Sequence, residues 1–399
     1  MAIRMRYRML SGFASTLNRL MSSTVVEPSV AVGHTSANSE NSSRVFRTNE
    51  SNPVNHGESH LGLFYTVPQD VKQLLFQHGG LPKSFEKQVK TFQETCIMVR
   101  SPALEIMEYM KAADYSGPAI RYVLFGKSGC GKSVSLSHIL HFGLVSGFLL
   151  IHVPWVPNWF RRCKESSNST TKDGYIDLPL DAAAWLIHFK NQNAPLLEKL
   201  NLTIGKEYVW SKREVTEKGA PLTELVNFGI NRVKYASDIV VAVIKEIKEL
   251  STSKKCKTLV VIDGFNAFFS SKTRIKSDDK TLVLPSKITL TEAFLEITKF
   301  DWCNGGVVLT VDQLAACDER TGSDFPVYQL GKEGFEHLDP FVPIQIEEYN
   351  HKEINSCIDY YIDRRWLQSP NAGTEEGRKE LAFLSSRNPY QLMKICGPL

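Results

Sequence analysis

Long apolar runs are missing from this sequence of 399 residues. The longest candidates, such as residues 258–262, span a few positions and are bounded by polar residues. A helix needs roughly 20 apolar residues to cross a bilayer. We therefore expect no stable membrane insertion.

Paired cysteines are missing as well. The eight cysteines are scattered singly, and none lies at the spacing that zinc or iron–sulfur sites require. Isolated thiols of this kind are typical of a reducing compartment and of structural or incidental roles.

The sequence also has no strong excess of charge of one sign. Its net charge is only +4, so the average composition does not indicate a nucleic-acid-binding protein. Locally, basic residues do cluster. Most clusters of this kind are solvated surface, and contact with a phosphate backbone is the alternative that stays open. The clusters are Arg161 with Arg162, residues 254–257, residues 272–276, and Arg364 with Arg365.

The first residues have the pattern of a targeting segment. Residues 1–26 contain Arg4, Arg6, Arg8 and Arg19, several serines and threonines, and no acidic residue before Glu27. This pattern predicts a mitochondrial presequence, with a disordered basic tail as the alternative. Residues 27–59 are rich in polar residues and poor in bulky apolar ones, which predicts a disordered linker or an extended arm.

The body of the chain predicts an α/β fold with a mainly parallel sheet. The strings VKQLLFQHGG and ALEIMEYMKAADYSG predict a small helical N-terminal module over 60–118. IRYVLFG predicts a strand, and FLLIHVP predicts a neighbouring parallel strand reached by a right-handed crossover. KTLVVID, GGVVLTVD and PIQIEEY predict further buried strands of a domain over 119–349.

The remaining segments complete the predicted organisation. Residues 155–221 predict an insertion, followed by one helix over 222–250. Residues 350–399 predict a small helical lid. The expected architecture is a three-layer sandwich with helices on both faces of the sheet.

The strongest motif is a phosphate-binding loop. It matches G-x-x-x-x-G-K-[ST] at every required position, between a predicted strand and a predicted helix. The glycines let successive N–H groups converge on phosphate oxygens at the positive end of the helix. The lysine is expected to reach the β- and γ-phosphates, and the serine hydroxyl to bind Mg²⁺. The loop residues are Gly126, Lys127, Ser128, Gly129, Cys130, Gly131, Lys132 and Ser133.

Two acidic residues follow later strands and complete the candidate site. Asp263, at the end of LVVID, is the expected second Mg²⁺ ligand, with a turn aspartate as the alternative. Many ATPases carry a glutamate next to this aspartate, whereas Gly264 stands here. Asp312, at the end of LTVD, is the candidate catalytic residue, with a capping or solvent-facing role as the alternative. Binding is therefore better supported than turnover.

Two further pairs of residues have both a functional and a structural interpretation. His138 and His141 lie three positions apart on the helix after the loop, as a metal pair would, although a partly buried helix face explains them more simply. Trp155 and Trp159 precede two arginines, and they predict either stacking on RNA bases or, with more weight, packing under the loop.

Several long strings resemble one protein family. The chain is similar to the death-associated protein three family, the GTP-binding proteins of the mitochondrial small ribosomal subunit, from about Val45 to Leu399. The strings are VFRTNESNPVNH, MVRSPALE, PAIRYVLFGKSGCGKS, YVWSKREVTEKGAPL, LGKEGFEHLDPFVPI and TEEGRKELAFLSSRNP.

The resemblance implies an AAA+-like P-loop NTPase with a helical lid, located in the mitochondrial matrix. It implies GTP or GDP with Mg²⁺ as cofactors and, as partners, small-subunit ribosomal RNA, ribosomal proteins and large-subunit proteins at an intersubunit bridge. It also implies a link to apoptosis. The sequence has no N-K-x-D motif for reading guanine, so the preference for GTP rests on the resemblance. Arg387, Asn388 and Pro389 lie where such a lid approaches the base, or they form a helix-starting turn.

Two functions from different classes are therefore expected to compete. One is a structural ribosomal component whose bound nucleotide holds the domain and the lid together, with slow or no hydrolysis. The other is a regulatory NTPase switch that acts in apoptotic signalling off the ribosome. A kinase is disfavoured because no acceptor site is apparent.

Overall fold

A computed structural model describes residues 45–316 and 322–397. The predicted presequence over 1–26, and the part of the predicted linker before residue 45, lie outside these residues. The α-helices are α1 Gln69–Phe76, α2 Lys83–Phe92, α3 Ser101–Ala112, α4 Lys132–Val145, α5 Pro157–Arg161, α6 Pro179–Leu200, α7 Leu222–Asn231, α8 Ala236–Thr252, α9 Thr289–Ile297, α10 Pro326–Leu338, α11 His351–Asp363, α12 Glu375–Leu384 and α13 Pro389–Cys396.

The strands form one five-stranded sheet and three two-stranded sheets within these residues. The strands are β1 Phe64–Thr66, β2 Cys96–Met98, β3 Ile120–Phe125, β4 Leu149–Val153, β5 Ser167–Asn168, β6 Ile176–Asp177, β7 Tyr208–Ser211, β8 Glu214–Thr216, β9 Thr258–Ile262, β10 Gly305–Thr310 and β11 Val342–Gln345. Short 3-10 helices lie at Pro53–Asn55, Glu58–His60, Val233–Tyr235, Phe265–Phe269, Pro285–Lys287 and Pro370–Gly373.

The five-stranded sheet is entirely parallel, in the order β11-β3-β10-β9-β4. Strands β9 and β10 are buried along their whole length because both faces are covered, which explains their continuous run of mainly apolar residues. Counted along the chain, the order is 5-1-4-3-2. This topology confirms the predicted α/β class with a mainly parallel sheet.

One predicted neighbour was wrong. The strand over 148–154 was expected beside the loop strand, but β4 pairs with β9, and both β9 and β10 lie between β4 and β3. The parallel direction was correct. The next apolar segment along a chain is often, but not always, the next strand in space, and here two later strands are inserted between the two.

Helices cover both faces of the sheet and make two hydrophobic cores. Val123 and Phe125 of β3 face a core built with α6, α7, α8 and α9. Tyr122 and Leu124 face the opposite core, built with α1, α3 and α4. This alternation along one strand makes a three-layer sandwich, as predicted.

The segment before β3 shares its core with the sheet. It contains α1, α2 and α3, and also the antiparallel pair β1 and β2, which the prediction of a helical module omitted. Within the predicted linker or arm, residues 45–59 are in contact with the body: His56 is buried and lies 2.9 Å from His138 on α4.

The insertion and the following helix also differ in detail from expectation. Residues 155–221 hold α5, α6 and two small antiparallel strand pairs. The single helix expected over 222–250 is two helices, α7 and α8, because Arg232 leaves helical geometry at φ −113° and ψ 68°. Both helices still pack on the sheet through their apolar faces.

The C-terminal helices pack against the N-terminal segment. Phe64, Phe92, Tyr360 and Trp366 form the centre of a third core there. Helix α11 begins with a capping box in which Asn350 and Glu353 exchange side-chain and backbone hydrogen bonds. Among the described residues, none of the helices is both long and apolar enough to cross a membrane.

Candidate nucleotide-binding site

The phosphate-binding loop joins β3 to α4. Gly126, Gly129 and Gly131 have φ values of +139°, +84° and +100°, which side-chain-bearing residues rarely adopt. A Cβ atom at Gly126 would lie 2.1 Å from the carbonyl oxygen of Ile346. Helix α4 begins after Gly131 without a side-chain cap. Its first N–H groups and its dipole therefore remain available to an anion.

Lys132 is buried at the centre of the site. Its Nζ atom donates to the carbonyl oxygens of Gly126 at 2.5 Å and Lys127 at 2.9 Å. The same atom lies 2.9 Å from Oδ2 of Asp312. Asp312 is therefore the partner of the loop lysine, and its backbone bonds to the side chain of Asn266.

Asp263 lies immediately after β9. Its carboxylate accepts hydrogen bonds from the hydroxyls of Ser133 and Thr310. Burial raises the pKa of Asp263 to about 6, against the opposing effect of these two hydroxyls. A hydroxyl and a carboxylate are hard oxygen donors of the kind that Mg²⁺ prefers, so the residues present fit this ion.

A cavity of about 960 Å³ is lined by Lys132, Ser133, Asp263 and Asp312. The parallel strands β3, β9 and β10 all end at this edge of the sheet, which brings the loop, Asp263 and Asp312 together. Gly126 and Lys127 do not line the cavity: Gly126 packs against Ile346, and the exposed Lys127 pairs with Glu348 at 2.6 Å. The other predicted loop residues do line it, from Ser128 to Ser133.

Trp155 occupies the place beside Asp263 where many ATPases carry an acidic side chain. Gly264 has φ +74°, and its N–H donates to Thr310. A Cβ atom at Gly264 would lie 2.9 Å from Cζ3 of Trp155. Trp155 and Trp159 both line the cavity; Trp155 is half-buried, and Trp159 is buried against Phe294.

Arg100 contacts the phosphate-binding loop through a backbone carbonyl, a contact that was not predicted from the sequence. Its Nη1 atom donates to the carbonyl oxygen of Cys130 at 2.6 Å. Its Nε and Nη2 atoms bind the two carboxylate oxygens of Glu353, at 3.0 Å and 3.2 Å. Nη2 also donates to the Glu347 carbonyl, and the guanidinium lies over the ring of Tyr349.

The C-terminal helices reach the loop as well. Asn388 caps α13 through its Oδ1 atom, which accepts from the backbone N–H of Tyr390. Its Nδ2 atom donates to the carbonyl oxygen of Ser128 at 3.0 Å, and the backbone N–H of Tyr390 donates to that of Gly129 at 3.2 Å. Asn388 therefore starts a helix, as the structural interpretation predicted, and it also contacts the loop. The approach of this segment to the base stays a prediction.

The two histidines on α4 have structural partners. His138 contacts His56, and Nδ1 of His141 lies 3.3 Å from the hydroxyl of Tyr65. Burial lowers the pKa of His141 to about 4. Across residues 45–316 and 322–397, no group of three or more His, Cys, Asp or Glu has the geometry of a metal site.

The basic clusters divide into packed and exposed residues. Lys257 lies 3.5 Å from the ring centroid of Tyr115 and is not a free surface charge. Lys272, Arg274 and Lys276 are exposed and alternate with buried residues, so they share one outward face.

Comparison with known proteins assigns the family. Residues 97–395 match the family described as "Mitochondrial ribosomal death-associated protein 3". The chain belongs to this family. The resemblance first noted in the sequence is thereby confirmed.

Two mammalian relatives of this death-associated protein 3 family member carry the name "Small ribosomal subunit protein mS29". The Bos taurus protein is 43% identical over 360 residues, which cover 90% of each chain. The Mus musculus protein is 42% identical over 355 residues, which cover 89% of this chain and 90% of that one.

Two solved structures overlap more weakly, each with a TM-score of 0.28. One is titled "Structure of the Aeropyrum Pernix ORC2 protein (ADPNP-ADP complexes)", with 14% identity over 74% of this chain and 65% of that one. The other is titled "Structure of E. coli MS115-1 HORMA:CdnC:Trip13 complex", with 10% identity over 81% and 79%. These overlaps are too weak to support an inference about function.

Proposed function

We propose that this death-associated protein 3 family member is a structural component of the mitochondrial small ribosomal subunit, in the matrix, and supports mitochondrial translation. Family membership and the names of the two mammalian relatives support this assignment. Its partners are small-subunit ribosomal RNA and proteins, and large-subunit proteins at an intersubunit bridge. The exposed face of Lys272, Arg274 and Lys276 has the charge that an RNA backbone requires.

We further propose that the site binds GTP or GDP with Mg²⁺. The observation that carries this proposal is the placement of Lys132, Ser133 and Asp263 at one edge of the sheet, beside the cavity. Lys132 would bind the terminal phosphates, and Ser133 and Asp263 would hold the ion. Bound Mg²⁺ neutralises charge on the phosphate oxygens. The preference for guanine rests on family membership alone.

Hydrolysis is proposed to be slow or absent. Gly264 provides no base, and the indole of Trp155 lies where a side chain at residue 264 would extend. Asp312, the candidate catalytic residue, is paired with Lys132. Poorly organised P-loop sites turn over at only about 10⁻⁴ per second without help. Bound nucleotide would therefore act mainly by stabilising the folded protein.

Nucleotide content tests the binding proposal. The full chain and its Lys132→Ala variant are purified from assembled subunits, and the released nucleotide is identified by mass spectrometry. Lys248→Ala is the matched control, because Lys248 is also largely buried and ion-paired, with Glu296 and Asp301, but lies away from the cavity. We expect GTP or GDP with the wild type and the control, and little with Lys132→Ala. Equal nucleotide content in all three would refute the proposal.

A single-turnover assay separates the structural role from a regulatory switch. The purified chain is loaded with GTP and Mg²⁺, and the nucleotide is followed for hours with and without ribosomal subunits. Persistent GTP supports the structural role. Rapid conversion to GDP, followed by release, would instead support the switch that acts in apoptotic signalling.

A further inference from the structure

The outer side of the phosphate-binding loop is held by groups from other parts of the chain. The carbonyl oxygens of residues 128, 129 and 130 accept hydrogen bonds from Asn388, Tyr390 and Arg100, in that order. Two of these donors belong to the C-terminal helices, and the third is bonded to Glu353 of α11. The loop and the C-terminal helices are therefore joined at three successive peptide groups.

Peptide geometry links these outer contacts to the inner, phosphate-facing side. A trans peptide group is planar, and its C=O and N–H bonds point in opposite directions. When Arg100 holds the carbonyl of Cys130, it therefore directs the N–H of Gly131 to the opposite side of the loop. Gly131, at φ +100°, has more conformational freedom than other residues and needs such a restraint.

The Arg100 contacts require a guanidinium. Arg100 and Glu353 have side chains only 8% and 6% exposed, and their two parallel hydrogen bonds use the fork of the arginine. The remaining donors reach the carbonyls of Cys130 and Glu347. A lysine has a single charged nitrogen and cannot make these contacts together. Glu353 is fixed in turn by the capping box with Asn350.

We propose that Arg100 is a positioning residue for phosphate binding. It holds the Cys130 carbonyl so that the Gly131 N–H faces the phosphate, and through Glu353 it couples phosphate binding to the docking of α11 and α13. This inference rests on the proposed nucleotide binding. Coupling between two sites is reciprocal, so bound nucleotide must strengthen the docking by the same factor as docking strengthens nucleotide affinity.

The test compares Arg100→Lys with Arg121→Lys in the full chain. Arg121 is also buried and also donates to backbone carbonyls, but it lies at the opposite end of β3. Affinity for fluorescent methylanthraniloyl-GDP with Mg²⁺ is measured by titration. We expect Arg100→Lys to weaken binding at least tenfold, and Arg121→Lys to bind like the wild type while unfolding at lower denaturant concentration.

Amide hydrogen exchange provides the second readout. In Arg100→Lys, exchange should accelerate at residues 129–131 and at residues 390–396, and Arg121→Lys should change neither. In the wild type, Mg²⁺ with GDP should slow exchange at residues 394–396, which do not line the cavity. If Arg100→Lys does not fold, Glu353→Gln replaces it, since the neutral amide weakens the same contacts at nearly the same size.

The outcomes separate this inference from the proposed function. If the wild type binds neither the GDP analogue nor its ADP counterpart, nucleotide binding fails, and exchange at residues 129–131 still decides whether Arg100 positions the loop. If the wild type binds and Arg100→Lys binds equally well with unchanged exchange, the positioning role is overturned. If both arginine variants weaken binding alike, Arg100 contributes only to stability, and the inference is again overturned.

Discussion

The two ends of strand β3 each have a buried arginine nearby, and the two arginines act differently. At the start of the strand, Arg121 donates to the carbonyls of Thr298, His337 and Pro340 and lies over the ring of Phe300. Burial lowers the pKa of its guanidinium, against nearby aspartates that raise it. At the other end, Arg100 on the neighbouring segment joins the phosphate-binding loop to Glu353.

With the role proposed for Arg100, one residue type would serve stability at one edge of the sheet and nucleotide binding at the other. In parallel α/β sheets, ligands bind beyond the carboxyl ends of the strands. Contacts at the opposite edge can therefore be optimised for stability alone. A change at Arg121 should alter unfolding without altering ligand affinity, whereas changes at the loop should lower ligand affinity.

The largest expected effect is on the free energy of unfolding, at Arg121 near the start of β3. Arg121→Met leaves three carbonyls without their charged donor, and we expect the free energy of unfolding to fall by about 3 kcal/mol. Urea denaturation measures this quantity. Nucleotide affinity, measured on the folded fraction, should not change. If Arg121→Met also lowered nucleotide affinity, the two ends of β3 would not have the separate roles described above.

Gly129→Ala tests the loop end. The new Cβ would lie 2.7 Å from Oδ1 of Asn388 and 2.9 Å from Cβ of Tyr390, at φ +84°. We expect nucleotide affinity to fall by at least about tenfold, and stability by about 1–2 kcal/mol, because a left-handed conformation is strained for alanine. Gly174→Ala is a matched control, since that glycine is also left-handed, at φ +72°, but no atom lies within 4 Å of its Cβ position.

The acidity of Asp263 predicts a pH dependence of Mg²⁺-nucleotide binding. Its pKa of about 6 in the folded protein lies above the ordinary value, so the ionised carboxylate destabilises the ligand-free fold. Stability contributed by Asp263 is therefore present at low pH and is lost as pH rises from about 4 to 6. Mg²⁺ needs the ionised form.

Affinity for Mg²⁺ with GDP should accordingly fall as pH drops through 6, by about tenfold between pH 7 and pH 5. Titrations at constant ionic strength measure this change. Lys132 and Asp312 also act on the Asp263 pKa, in opposite directions. Asp263→Asn should bind weakly at every pH in this range, and a pH slope that persists in this variant would assign the titration to another group.

The smallest expected effect concerns the contact between Asn388 and the phosphate-binding loop. Asn388→Ala removes the N-cap of α13 and the bond to the Ser128 carbonyl. We expect a loss of about 1 kcal/mol in stability, as for other N-caps, and about a threefold loss of nucleotide affinity. Asn388→Ser is the control that keeps a side-chain N-cap acceptor without adding charge, while its shorter side chain loses the donor to the loop. Equal affinities for both variants and the wild type would limit Asn388 to capping.

Patterns within short stretches of the sequence were enough to predict the strands and the phosphate-binding loop. The buried strands, the loop glycines and the positions of Asp263 and Asp312 follow from hydrophobic runs and from one motif whose spacing is fixed by its chemistry. The loop residues remain predicted ligands, because their contact with a nucleotide is a proposal. The order of β4, β9 and β10 had no local signal, since pairing depends on the whole chain.

The missed contacts were long-range. Arg100 and Glu353 are separated by 253 positions, and neither lies in a motif that predicts a partner. In MVRSPALE, Arg100 precedes a proline-containing helix start and resembles an ordinary surface residue. Only the packing of the N-terminal segment against the C-terminal helices brings its guanidinium to the loop.

The indole of Trp155 also restricts how this protein can change during evolution. An acidic side chain at residue 264 would have to displace the ring, because the first carbon of that side chain already lies 2.9 Å from it. A single substitution at this position is therefore expected to damage the site before it creates a hydrolase. On the proposal that hydrolysis is slow, fast turnover would therefore require a change at Trp155 together with the change at residue 264.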